Sequence, residues 1–141
     1  MQVEYGFIAD SADAQNGLFY VVRGGTDIWH LPADVVFPVP IGPMSFVVRL
    51  VGQLDEIGQP IAVSFKLVNL DGHPVGEEGQ GQIEFAPHPF DRTRTSGALL
   101  HFRVGFSAPS AGAFVFELHS NDRRLCQIPF WVVTGPPVNI P

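Results

Sequence analysis

Thirteen prolines and fifteen glycines in 141 residues leave little room for long helices, since each costs about 1–3 kcal/mol inside one. Twelve phenylalanines are a large core payload, and the length suits one domain that buries roughly two-thirds of its unfolded surface. A net charge of −6, with eight scattered Lys and Arg, excludes a nucleic-acid or anionic-membrane partner, which calls for clustered cations.

The first predicted strand runs from Val3 to Ala9, with Val3, Tyr5, Phe7 and Ala9 inward by their alternation. Asp10 to Gln15 reads as a polar loop ending in the turn dipeptide Asn16-Gly17. Leu18 to Arg23 follows as a strand that is apolar on both faces, the pattern of a strand buried on two sides, either between this domain and a neighbour or under its own loop. Gly24-Gly25 breaks it, and Asp27 to Leu31 is a short extended piece carrying Trp29.

Pro32 to Pro43 holds four prolines, which cannot donate to a ladder, so it reads as an edge segment or loop. Met44 to Leu54 and Ile61 to Asn69 alternate as core strands. His73 to Gly81, rich in Gly and Glu, reads as mobile, with a short strand from Gln82 to Phe85. Ala86 to Gly97 is a polar, Pro-containing loop of the length that often carries function. Ala98 to Phe106 is a strand with Leu100, Phe102, Val104 and Phe106 inward.

Gly112 to Val133 is the clearest hairpin. Phe114, Phe116 and Leu118 alternate before Ser120-Asn121-Asp122-Arg123, whose Asn and Asp tolerate left-handed backbone. Cys126, Ile128, Phe130 and Val132 repeat the alternation. About eight short antiparallel strands predict an all-β, immunoglobulin-like β-sandwich over residues 1–134. Residues 135–141 form a Pro-rich C-terminal tail.

The words Val3-Glu4-Tyr5-Gly6-Phe7-Ile8-Ala9-Asp10 and Asn16-Gly17, followed by Gly24-Gly25, are distinctive together. They resemble the opening of a family of small bacterial proteins known only as a domain of unknown function. Its members close with a Gly-x-(Tyr/Phe)-x-Phe hairpin, matched here by Gly112 to Phe116. In this chain Asn121-Asp122 stands where the family's closing turn has Asp-Gly, and Arg23 where it has Gly. The resemblance implies a compact intracellular β-sandwich and no particular activity.

Candidate functional residues are few. The single cysteine, Cys126, excludes an intrachain disulfide and fits a reducing compartment. No basic segment followed by an apolar core opens the chain, and no run approaches the ~20 apolar residues that span a bilayer, so a cytoplasmic location is expected. The five histidines lack local metal-ligand spacing, although His101 and His119 fall outward on strands predicted to be neighbours, near Arg103 and Glu117. Cys126 with His119 is the one conceivable nucleophile pair, but its inward register makes it a small buried apolar residue. No phosphate loop or Gly-x-Ser-x-Gly elbow is present.

The chain is therefore expected to be non-catalytic, to need no cofactor or metal, and to work as a homo-oligomer or with a protein partner. Only 16% of residues are charged, against a usual ~25%, so either Ser, Gln, Thr and Asn make up the polar surface or apolar surface is left for another copy or another protein to cover. The expected contact residues are Leu18, Tyr20 and Val22 on the second strand, and Val115, Trp131 and Val133 on the hairpin's outward face. A small-ligand or glycan site at Trp29, His88 and Arg92 is the alternative. A hydrolytic or metal centre at His101, His119 and Glu117 is the third.

Overall fold

The computed structural model describes residues 1–15, 18–76 and 78–135. Nine strands occur among them: β1 (Gln2–Gln15), β2 (Leu18–Gly24), β3 (Ile28–Leu31), β4 (Val39–Val51), β5 (Ile61–Asn69), β6 (Gly79–Ile83), β7 (Ala98–Ala108), β8 (Gly112–Ser120) and β9 (Arg123–Thr134). They form two packed sheets, a four-stranded one in the order β2-β1-β4-β7 and a five-stranded one in the order β3-β9-β8-β5-β6. The molecule is an all-β sandwich. The expectation of about eight strands holds, but not all are antiparallel: the short extended piece at Trp29 is β3, which pairs parallel with β9, from Ile28 opposite Trp131 to Leu31 opposite Thr134.

Phenylalanine rings fill the space between the sheets. Phe46, Phe85, Phe114, Phe116 and Phe130 are fully buried, and Phe46 stacks on Phe116 with ring centroids 3.9 Å apart. Phe106 meets Phe114 and Phe130 edge-on, so one aromatic cluster ties β4, β7, β8 and β9 together. Offset and edge-on contacts of this kind contribute about 0.5–1.5 kcal/mol per pair beyond the area they bury.

The β8–β9 hairpin forms as its sequence predicts. Asn121 and Asp122 take φ of 50° and 64°, the two consecutive left-handed residues that suit the twist of a two-residue hairpin. The prolines before Met44 are the opposite case, because β4 already begins at Val39. Its pairing with β1 stops at Ala9 opposite Ser45, so Val39 to Pro43 lie beside β7 alone. That local edge is where a strand tolerates proline.

The inward register expected for the first strand holds at Val3, which packs against the core, and is overturned at Tyr5 and Phe7 by a bulge between Val3 and Tyr5; Ala9 is nonetheless fully buried. A one-residue slip exchanges the faces of every following side chain. Ile8 therefore enters the core. A Cβ on Gly6 would meet Ile128 and Val48 across the interior, whereas Tyr5 and Phe7 stack on each other at 6.3 Å. Asp10 to Gln15, expected as a loop, continues β1 and pairs with β2; the Asn16-Gly17 turn lies outside the described residues, as do 136–141 of the tail.

The Gly-rich stretch expected to be mobile holds most of β6. Gly79 sits opposite Phe65, whose ring occupies the space a Cβ would need. Glycine at this edge is an accommodation of the phenylalanine, which is why a run poor in β-formers still pairs as a strand.

Candidate functional site

The structure sets β2 at the outer edge of the four-stranded sheet, where among the described residues it pairs only with β1. Its residues do not become buried on two sides. Leu18, Tyr20 and Val22 are 60%, 55% and 58% exposed, and Val21 is exposed with them. The reason is the arm that β1 and β2 make. Ser11 to Gln15 run past the last residue of β1 that pairs with β4, so β4 and the opposing sheet do not extend alongside β2. Four exposed large apolar residues within five positions of an edge strand are an unusual surface, since edge strands normally carry charge or proline.

A second surface covers the outer face of the five-stranded sheet. Pairing aligns Val115 with Val68 and Pro129, and Trp131 with Ala113 and Ile28. Val133 sits one row further on, opposite His30. Trp131 is 40% exposed and Ile28 is exposed beside it, while Val115 and Val133 are half-buried. The sequence placed Val115, Trp131 and Val133 on this face but missed Ile28 and Pro129. Ile28 reaches it through a parallel pairing with a strand about a hundred residues away, for which local alternation gives no signal.

The other half of that face is polar and centres on Glu117. Its carboxylate accepts from Gln127 Nε2 at 3.3 Å and Arg124 Nη1 at 3.5 Å, and His119 Nε2 lies 3.2 Å away. Lys66 Nζ stands at 4.0 Å. Burial opposes ionisation of Glu117, but hydrogen bonds from His119 and Gln127 and the charges of His119 and Lys66 outweigh it. They hold the carboxyl below its ordinary range.

His101 does not join this group. The expectation that the two histidines lie on neighbouring strands is wrong, because β7 and β8 belong to different sheets. A strand pair linked by sequence order need not be linked by hydrogen bonds, and here the chain crosses the sandwich between them. His101 Nε2 instead meets the hydroxyl of buried Ser45 at 3.0 Å. Burial pushes its imidazole below its usual value and Arg103 adds to the effect, against the pull of Asp13. Cys126 is half-buried against the core, and that burial pushes its thiol up, away from the thiolate a nucleophile needs. Among the described residues no three His, Cys, Asp or Glu side chains gather as a metal site would require.

The residues of the glycan alternative are also kept apart. Trp29 pairs with Val132, which is opposite Gly112 at one end of the sandwich, and packs against the core. The Ala86–Gly97 loop is anchored at the other end, where Thr95 Oγ1 bonds both N–H and C=O of Gly52. Within the loop His88 Nδ1 accepts the backbone N–H groups of Phe90 and Asp91 at 3.2 and 2.9 Å. His88 thus supports the loop's own backbone, and Arg92 is exposed on it.

Among the described residues no helix is long and apolar enough to cross a membrane. No curated protein matches the chain. The family model of DUF6941, described as a family of unknown function, matches residues 4–133, and the chain belongs to that family.

Proposed function

We propose that this chain acts by binding rather than by chemistry, as a non-catalytic, immunoglobulin-like module that docks to protein through the edge of β2. The observation that carries the reading is the conflict between sequence and surroundings at Leu18–Val22. These residues have the composition of a strand buried on both faces, yet the described residues leave Leu18, Tyr20 and Val22 open on one face and cover only part of Phe19 and Val21 on the other. Extended edges recruit partners by adding a strand, with main-chain hydrogen bonds supplying affinity and alternate side chains supplying selectivity. The Trp131 and Ile28 face is a second apolar surface, on the other sheet, and adds contacts only to chains already paired through β2.

The strand order supports the immunoglobulin-like reading. β9-β8-β5-β6 follows the G-F-C-C′ order of a variable-type sheet, and β4 beside β7 matches its B and E strands. The lone Cys126 fits a reducing cytoplasm, and the opening words of the chain fit bacterial members of the family.

The test is a native-size measurement in lysate of the cells that make the protein. The wild-type chain should run above the mass of a monomer, and the Leu18→Lys/Val22→Lys double variant should run as a monomer while keeping its far-UV CD spectrum. A wild-type chain that runs as a monomer in the lysate would rule the docking role out.

A further inference from the structure

We infer that the occupant of the β2 edge is β2 of a second copy of this chain, laid antiparallel about a two-fold axis at Tyr20. The inference rests on the docking role proposed above and names its partner. Because β2 pairs only with β1 among the described residues, one row of its backbone N–H and C=O groups faces away from the sheet. Natural edges are blunted by proline, bulges, charge or shortness. The pairing of β2 runs without a slip from Ser11 opposite Val22 to Gln15 opposite Leu18, and the strand holds no proline, Lys, Asp or Glu. Its one charge, Arg23, lies where the backbone turns to φ 54°, and its Nε is 2.9 Å from Asp10 Oδ2. The other edges are poorer candidates: β3 has four residues, β6 has five with two glycines, and β7 carries Arg103 and is met at Phe106 by Gly76.

The sequence of the edge is complementary to itself. An antiparallel overlay of Leu18–Val22 about Tyr20 sets Leu18 against Val22, Phe19 against Val21, and Tyr20 against Tyr20. Every opposed pair is apolar, and two of the five join an aromatic to a β-branched side chain, a favourable cross-strand combination. No charges are opposed within the overlay. The chain carries −6 overall, so two copies repel at most approaches, and β2 is a stretch where they can meet without bringing acids together. A two-fold interface of this kind closes with two chains. A five-residue edge buries less than a standard interface, so the pair is weak and responds to concentration.

Two measurements on the full chain test this. By light scattering, purified wild-type protein should move from 15.4 kDa toward twice that mass as concentration rises, and Val22→Lys should hold it at one chain. Opposed residues of antiparallel strands have α-carbons about 4.5–5.5 Å apart, within disulfide reach. In a Cys126→Ser background, Tyr20→Cys should therefore cross-link under mild oxidation much faster than Val36→Cys, an 82% exposed loop position that reports random collision. A wild-type monomer at all concentrations, or equal cross-linking at the two positions, overturns the inference. The lysate measurement separates the two ideas: a purified monomer that is nonetheless assembled in lysate removes the second copy and keeps the docking role, whereas a monomer in both removes both.

Discussion

Glu117 is a carboxylate on the outside of a sheet that its neighbours have nevertheless nearly closed over. Because its folded pKa is held below the usual 4.5, its contribution to stability is present above that value and is lost as pH falls through the lowered folded one. Glu117→Gln should cost about 1–3 kcal/mol at neutral pH, since Lys66 and Arg124 lose their counter-charge. The gap between variant and wild type should close as the pH drops below 4.5. Urea midpoints taken across that range read this directly, and a gap independent of pH would mean the charge contributes nothing. His101 acts in a different window. Its folded pKa is lowered from 6.5, so the fold favours the neutral imidazole and loses stability as pH falls from 6.5 through the lowered value. His101→Gln should flatten the thermal midpoint over that interval without changing the behaviour below 4.5 that belongs to Glu117.

At the level of elements, β8 and β9 were legible because every determinant is local: alternation in each strand and two turn residues between them. The turn is not optimal, since Asp122 holds φ 64° where glycine has no steric penalty. Asp122→Gly should therefore stabilise the protein by up to about 1 kcal/mol, visible as a raised urea midpoint with unchanged m-value. The elements that escaped the sequence depend on distant partners. The bulge at Val3 and Tyr5 reverses a face without altering the apolar pattern, and Gly79 becomes strand only because Phe65 lies over it. β2 shows the same limit in another form. Its apolar pattern predicts burial on both faces, but alternation carries no information on whether the chain itself supplies that cover. The exposure of Leu18, Tyr20 and Val22 is not legible for that reason, and His101 stands apart from His119 because strands adjacent in sequence need not be adjacent in space.

On the whole molecule, the two apolar surfaces lie on different sheets, and this separation decides what kind of assembly the chain can build. A two-fold contact at β2 closes after two chains and leaves both Trp131 faces outward. If those faces also meet in pairs, dimers join end to end, and species beyond two chains accumulate as concentration rises. Trp131→Glu should then cap the assembly at the dimer, because it removes the second contact and leaves the β2 edge intact. The substitution should not unfold the protein: Trp131 is 40% exposed, whereas Phe130 beside it is wholly buried, and Phe130→Ala should cost about 3–5 kcal/mol. Sedimentation velocity of wild type and Trp131→Glu over a wide concentration range separates the cases. Larger species in both proteins alike would show that the Trp131 face is not a contact, and loss of the dimer itself in Trp131→Glu would show that the two surfaces are not independent.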